Sequence, residues 1–143
     1  MITIKEGDLL KIDCDIICHQ VNLQGVMGGG IAAQIARKYP ECEKEYKKYI
    51  QSTKNAFGKV FLWYNGEIYI ANCFTQTEFF YTRYDSVRNC FEEIARFAEK
   101  KGLSVGIPYK YGCGIANGSW EEVEQIIIDV FANKEIDCKI LKL

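Results

Sequence analysis

Residues 15–40 read DIICHQVNLQGVMGGGIAAQIARKYP, and this stretch decides the fold. Between Asp15 and Asn22 it contains the apolar run Ile16-Ile17-Cys18, which predicts a central strand buried on both faces. Three glycines, Gly28 to Gly30, then break the chain. Beyond them apolar residues recur at helical spacing until Pro40 ends the helix, namely Ile31, Ala32, Ile35, Ala36 and Tyr39. A strand, a glycine-rich loop and a helix in this order indicate an α/β unit.

The same alternation extends over the rest of the chain. Ile2 to Ile4 predicts a short first strand that ends at Gly7-Asp8. The later elements are predicted as a helix at 41–50, strands at 60–64 and 68–73, a helix at 84–101, a strand at 103–108, a helix from Trp120 and a strand at 136–143. The Asn65-Gly66 turn is typical of a hairpin and adds an antiparallel pair. We predict an α/β fold with a mixed, mostly parallel sheet and helices on both of its faces.

Length and composition limit the classes of protein. A chain of 143 residues predicts one domain, 1–143, and its 48% apolar and 26% charged residues are typical of a globular protein. The net charge of -1 argues against broad, non-specific binding of nucleic acid. The sequence contains no apolar run of about 18 residues that spans a membrane, and its first residues lack the order of a secretory signal. We expect a cytoplasmic monomer.

The chain has seven cysteines and one histidine, His19. Because no Cys-x-x-Cys pair occurs, we predict reduced, mostly buried thiols and neither a metal nor another cofactor. His19 lies on the apolar strand, where it is either a hydrogen-bonded core residue or a general base. Cys113 lies between glycines near a helix start, a place that lowers the pKa of a thiol. It is therefore either a nucleophile or a packing residue.

Two glycine-rich loops carry the functional signal. The first glycine loop, Gly25 to Gly30, leads into a helix, and the second glycine loop, 112–118, precedes the last helix. In α/β sheets ligands bind beyond the carboxyl ends of the strands, where helix N-termini offer unpaired N–H groups. Two such loops at one edge suggest a diphosphate held from both sides. A plain turn at each is the alternative, since neither loop is a dinucleotide fingerprint or a P-loop.

Read in order, the motifs resemble those of the macrodomain family over nearly the whole chain. The pieces are Gly7-Asp8-Leu9-Leu10, His19-Gln20-Val21-Asn22, Met27 to Ala32, Pro108 to Gly114 and Trp120-Glu121. In detail they look most like the branch that contains the terminal ADP-ribose protein glycohydrolases. This resemblance implies the three-layer α/β/α macrodomain fold and an ADP-ribose ligand, free or attached to protein or nucleic acid.

The resemblance also implies roles for single residues. Asp8 would accept a hydrogen bond from the adenine amino group, and Asn22 would lie near the distal ribose. Gly28, Gly29, Gly30 and Ile31 would line one side of the diphosphate, and Gly112, Cys113, Gly114 and Ile115 the other. The remaining expected ligand contacts are Leu9, Gln20, Met27, Ala116 and Leu141, the last standing where that branch presents an aromatic side chain to adenine. The alternatives are a turn cap for Asp8 and a strand-end hydrogen bond for Asn22.

Two departures from that branch bear on catalysis. The branch uses a lysine just after the middle strands and an aspartate in the second loop. This chain has Asn72 to Gln76 without a lysine in the first region, and Ala116 in place of the aspartate. Asn22 and Gln76 are therefore the candidate catalytic residues, as amides that orient a water molecule. The aromatic residues of the next stretch, Phe79, Phe80, Tyr81 and Tyr84, are interpreted either as a flap over the distal ribose or as packing.

Three hypotheses of function follow. The first is a hydrolase of ADP-ribosyl linkages or of ADP-ribose 1''-phosphate. The second is a reader that binds the same ligand without turnover. The third is an unrelated α/β nucleotide-binding protein whose loops mimic the pattern.

Overall fold

A computed structural model describes residues 1–78, 81–113 and 118–143, with residues 77 and 78 described by their backbone alone. The strands in these ranges are β1 (Ile2–Glu6), β2 (Ile16–Asn22), β3 (Val60–Tyr64), β4 (Tyr69–Glu78), β5 (Tyr81–Thr82), β6 (Val105–Pro108) and β7 (Cys138–Lys142). The helices are α1 (Gly30–Lys38), α2 (Pro40–Ser52), α3 (Tyr84–Lys101) and α4 (Trp120–Phe131).

The strands form one mixed sheet in the order β1-β7-β6-β2-β4-β3, with β5 paired to β4. The pairs along the sheet from β1 to β4 are parallel. Both β3 and β5 run antiparallel to β4. At the predicted hairpin, Asn65 Oδ1 accepts hydrogen bonds from the backbone N–H groups of Glu67 and Ile68 at 2.8 Å. The predicted mixed, mostly parallel sheet is confirmed.

Two cores lie on opposite faces of the sheet, because neighbouring residues of a strand project to opposite sides. From β2, Ile17 and Val21 pack with the α1 and α2 side chains Ile35 and Tyr46. The alternate residues of β2 pack with α3 and α4 on the other face, where the core includes Ile16, Cys18, Phe91, Ile127 and Phe131. Helices therefore cover both faces, and the predicted three-layer α/β/α fold is confirmed.

The structure differs from the prediction at the end of β4. This strand extends to Glu78 rather than ending at Cys73. Beyond Cys73 it stays paired on both sides, because Gln76 lies opposite Asn22 of β2 and also opposite Thr82 of β5. Because the residues at this end of β4 are polar, the apolar pattern of the sequence does not predict that the strand continues. Of the stretch interpreted as a flap, Phe79 and Phe80 lie outside the described residues, and Tyr81 is exposed.

The parallel strands place several loops at one edge of the sheet. The segments after β1, β2, β6 and β7 all leave at the carboxyl ends of their strands, so the first glycine loop and the described start of the second, Gly112 and Cys113, lie at that edge. No helix in the described ranges combines the length and the apolar character needed to span a bilayer. Six of the seven cysteines are buried and Cys113 is half-buried, all as free thiols.

Candidate functional site

Two adjoining cavities open at the carboxyl edge of the sheet. The Asn22 cavity, of about 460 Å³, is lined by the first glycine loop, the ends of β2 and β4, and residues 108–112. The Asp8 cavity, of about 380 Å³, is lined by residues 7–9, by residues 141–143 and by Gln34 of α1. Ile31 and the segment from Pro108 to Lys110 line both cavities. The two cavities therefore form one groove with different chemistry at its ends.

The first glycine loop is held by the side chain of Asn22. Its Oδ1 accepts hydrogen bonds from the Gln24 N–H at 3.0 Å and the Val26 N–H at 3.4 Å. The Tyr46 hydroxyl, which donates to the Asn22 carbonyl at 2.7 Å, lies 3.0 Å from the same Oδ1. Asn22 Nδ2 donates to the Val26 carbonyl at 3.0 Å. Asn22 therefore makes the hydrogen bonds expected of a residue at a strand end. The second N–H of its Nδ2 amide group is left to bind a ligand in the cavity that Asn22 lines.

The glycines of this loop leave room for a ligand at the start of α1. Gly30 has a φ of +56°, and a Cβ added there meets no atom within 4 Å. Gly29 precedes it as the extended N-cap residue, and the first turn of α1 contains no acidic residue. The unpaired N–H groups and positive dipole end of a helix attract anions. A phosphate group fits this place by charge and by space.

The second glycine loop is anchored through side-chain hydroxyls and the amide of Gln20. The Thr82 hydroxyl donates to the Gly112 carbonyl at 2.8 Å, and the same carbonyl accepts from the Gly118 N–H at 2.8 Å. Gln20 Nε2 donates to the hydroxyls of Thr75 at 2.9 Å and Thr82 at 3.0 Å. Both N–H groups of Gln20 are thus engaged, so the group it has left for the Asn22 cavity is its carbonyl oxygen.

A register shift in β4 brings two amides together at the end of this cavity. Val21 pairs with Phe74 but Asn22 pairs with Gln76, so Thr75 is an additional residue between the two pairs. Such irregularities redirect side chains near functional sites. Gln76 is 8% exposed and lines the cavity, and the described residues give its side chain no hydrogen-bond partner. The structure therefore brings together Asn22 and Gln76, the two candidate catalytic residues.

The other end of the groove presents a carboxylate above an apolar floor. Asp8 Oδ1 accepts a hydrogen bond from the Leu10 N–H at 2.9 Å, so Asp8 does cap a turn. Its side chain also lines the Asp8 cavity together with Leu9 and Leu141, each 4% exposed. The turn leaves the second carboxylate oxygen to accept a hydrogen bond from a ligand.

Several candidates lie elsewhere. His19 is fully buried, with its Nε2 2.7 Å from Asn72 Oδ1, and burial lowers its pKa to about 4, as expected of the core interpretation. Burial raises the pKa of the Cys113 thiol, so the lowered pKa predicted from its position near a helix start is wrong. Met27 packs in the core between the sheet and the α1–α2 pair. Gly114, Ile115 and Ala116 lie outside the described residues.

The ionisable side chains that line the Asn22 cavity are few. Within the described ranges they are Tyr109, Lys110 and Tyr111, so no carboxylate or imidazole faces this cavity from those ranges. Burial raises the pKa of the Tyr111 hydroxyl. The same ranges contain no cluster of His, Cys, Asp or Glu side chains able to hold a metal ion. The chemistry available from these residues is hydrogen bonding by amides and hydroxyls, with one ammonium group.

Some residues of the site were missed from the sequence. Tyr109, Lys110 and Tyr111 line the groove, although they belong to a quoted motif whose ligand contacts were assigned only from Gly112 onward. Tyr46 and Thr82 act behind the loops, and no local pattern shows which backbone group a hydroxyl will meet. The position of residues 109–111 directly after a parallel strand is the signal that would have found them.

A family model described as Macro domain matches residues 18–127. The chain belongs to the macrodomain family. A Mycobacterium tuberculosis protein named DNA ADP-ribosyl glycohydrolase is 33% identical over an alignment of 142 positions, which covers 92% of this chain and 39% of that protein. This chain thus spans about two fifths of that relative's length. A Candida albicans protein named ADP-ribose 1''-phosphate phosphatase is 30% identical over 125 residues, covering 78% of this chain and 79% of that protein.

Solved structures agree with this assignment. The macrodomain of Mycobacterium tuberculosis DarG matches with a TM-score of 0.90 and 30% identity, over 100% of this chain and 98% of that chain. The predicted family and the predicted fold class are both confirmed.

Proposed function

We propose that this macrodomain binds an ADP-ribose derivative along the groove. Adenine occupies the Asp8 cavity, the diphosphate crosses the first glycine loop, and the distal ribose enters the Asn22 cavity. The observation that carries the proposal is the continuity of the two cavities through Ile31 and residues 108–110, with a carboxylate at one end and two amides at the other. A carboxylate acceptor suits the adenine amino group, and amides suit ribose hydroxyls.

We further propose that the domain hydrolyses a linkage at C1'' of the distal ribose. The names of the Mycobacterium tuberculosis and Candida albicans relatives, a glycohydrolase and an ADP-ribose 1''-phosphate phosphatase, support hydrolysis. Asn22 and Gln76 hold a water molecule, whose oxygen forms a bond to C1'' while the bond from C1'' to the leaving group breaks. A phosphate oxygen of the ligand accepts the proton, since the described lining of this cavity offers no carboxylate or imidazole.

The same lining favours particular leaving groups. Where the described lining offers neither a carboxylic acid nor an imidazolium group, a group that departs as a stable anion leaves more readily than one that must be protonated. We therefore propose carboxylate esters of ADP-ribose and ADP-ribose 1''-phosphate as substrates, ahead of linkages to the nitrogen of a base. We also propose that the domain acts as a monomer. Its seven free thiols support a cytoplasmic location.

A reader without turnover is the second candidate. The absence of a carboxylate or imidazole from the described lining of the Asn22 cavity favours it, because general acid–base catalysis contributes about 10²–10⁴-fold to rates.

Calorimetric titration with ADP-ribose and with AMP, followed by hydrolysis assays, tests these proposals. The assays use ADP-ribose 1''-phosphate, a glutamate-ester ADP-ribosylated peptide and ADP-ribosylated DNA. We expect much tighter binding of ADP-ribose than of AMP, and faster turnover of the first two substrates than of the DNA. Binding without turnover of any substrate supports the reader, and equal affinities for ADP-ribose and AMP contradict the assignment of the glycine loops.

A further inference from the structure

Lys110 lies where the two cavities meet. It lines both of them, whereas Lys142 lines the Asp8 cavity alone. Any ligand that occupies both cavities must pass this junction. In an ADP-ribose derivative the part at the junction is the diphosphate, which carries the negative charge of the molecule.

The backbone of Lys110 is unusual for a lysine. Its φ is +60°, in the left-handed region that favours glycine. Two hydrogen bonds hold this turn, from the Tyr111 N–H to the Pro108 carbonyl at 3.1 Å and from the Cys113 N–H to the Lys110 carbonyl at 2.9 Å. Glycine would form the same turn without strain, and what lysine adds is a charged side chain on a residue that lines the groove. Strained non-glycine residues are concentrated at ligand-binding positions.

The charge of Lys110 is not neutralised by the described part of the protein. Its Nζ lies 5.8 Å from the centre of the Tyr109 ring, and Lys142 Nζ lies 4.8 Å from the same centre. No carboxylate in the described part of the chain lies within 4.0 Å of the ammonium group of Lys110 or of Lys142. An anion at the junction would be attracted by both positive charges, and Lys110 alone also faces the cavity of the first glycine loop.

We infer that Lys110 binds the diphosphate of the ligand and so determines the preference for ADP-ribose over uncharged nucleosides. This inference rests on the proposed ADP-ribose function. The glycine loops supply N–H groups and a helix dipole, and Lys110 supplies the full positive charge that these lack. Tyr109 positions it through contact between the ring and the ammonium group.

The test is titration of the wild-type chain and its variants with ADP-ribose and with adenosine, at low and high salt. Lys110→Met keeps the length of the side chain and the backbone strain, and removes the charge. We expect it to weaken ADP-ribose binding about tenfold and to reduce the salt dependence, since a hydrogen bond to a charged group is lost. Adenosine affinity should stay the same. Lys110→Arg should keep most of the affinity for ADP-ribose.

Lys101→Met is the matched control, since Lys101 also lies over an aromatic ring, with its Nζ 5.5 Å from the centre of the Phe97 ring, and lines neither cavity. We expect it to change ADP-ribose binding by less than about threefold. Lys110→Gly should lose affinity as Lys110→Met does while melting no lower than the wild type, because glycine suits this φ. Unchanged affinity in Lys110→Met, or equal losses in the two methionine variants, overturns the inference. A wild-type chain that fails to bind ADP-ribose overturns the proposed function, and this inference with it.

Discussion

The first glycine loop and Gly112, the first residue of the second, line the Asn22 cavity, but they are attached to the fold in different ways. The first is held by Asn22, on the strand that leads into it, and by Tyr46 from the core beneath. The second is held at Gly112 by the hydroxyl of Thr82, on the two-residue strand β5, and that hydroxyl in turn accepts a hydrogen bond from Gln20. The side chain bonded directly to the first loop thus comes from the strand that leads into it, whereas the side chain bonded directly to the second loop comes from β5.

The largest expected effect comes from crowding the second loop. Gly112 has a φ of +72°, and an added Cβ would lie 2.9 Å from Thr82 Oγ1 and 3.3 Å from Gln20 Nε2. We expect Gly112→Ala to lower the free energy of unfolding by about 3–4 kcal/mol, from backbone strain and lost hydrogen bonds, and to abolish ADP-ribose binding. Gly30→Ala is the matched control in the first loop, where a Cβ meets nothing within 4 Å. It should lower the free energy of unfolding by only about 1–2 kcal/mol. Equal losses in urea unfolding would show that the two loops are held alike.

Acid should weaken the side of the fold that carries the first loop. Burial lowers the pKa of His19 from 6.5 to about 4, and the side chain is bonded to Asn72 beneath α2. The unfolded chain binds a proton here at a higher pH than the folded chain does, so stability falls as pH decreases from 6.5 to 4. The contribution is about 3 kcal/mol. Urea unfolding across this range measures it, with His19→Gln as the control that should flatten the profile. An unchanged profile in that variant would assign the acid sensitivity to other groups.

Tyr46 allows a finer test of how the first loop is held. Its hydroxyl donates to the Asn22 carbonyl at 2.7 Å and approaches Asn22 Oδ1 at 3.0 Å, and the side chain is fully buried. We expect Tyr46→Phe to lower the free energy of unfolding by about 1–2 kcal/mol, since a buried carbonyl loses its partner. ADP-ribose binding should weaken while AMP binding does not, because AMP does not reach the Asn22 cavity.

Tyr49→Phe serves as the control for this variant. Tyr49 also lies on α2 and stacks on Phe74, with ring centres 5.4 Å apart, but its hydroxyl is not bonded to the first loop. It should leave both affinities unchanged. If Tyr46→Phe weakens ADP-ribose and AMP binding equally, Tyr46 supports the fold and does not position the loop.

The sequence was sufficient for the fold and for the position of the site, because both depend on local patterns. The layers of the fold were predicted from the apolar runs. The edge of the sheet that carries Asp8, Asn22 and Gly28 to Gly30 was predicted from the glycine loops and the order of the motifs. The length of β4 and the short β5 could not be predicted, since polar residues are paired there only through tertiary contacts. For the same reason, the bulge at Thr75 and the hydrogen bonds of Tyr46 and Thr82 were not visible. Burial reversed the expected pKa shift of Cys113, because a position near a helix start gives no information about what covers the thiol.

The smallest expected effect concerns covalent chemistry, for which we predict no change in mass. The region from Asn72 to Gln76 contains no lysine, and Ala116 stands where the resemblance to the glycohydrolase branch implies an aspartate. One lysine, Lys110, does line the Asn22 cavity, but it lies where this cavity meets the Asp8 cavity. It does not belong to β2 or β4, the strands that pair Asn22 with Gln76. Treatment with a reducing agent during incubation with an ADP-ribosylated substrate should leave the mass of the protein unchanged in mass spectrometry.

Any hydrolysis should then be slow and should depend on Gln76, because a neutral amide orients water but accepts a proton poorly. Gln76→Ala should remove it while binding is retained, and an adduct on a lysine would instead show that an amine attacks C1''.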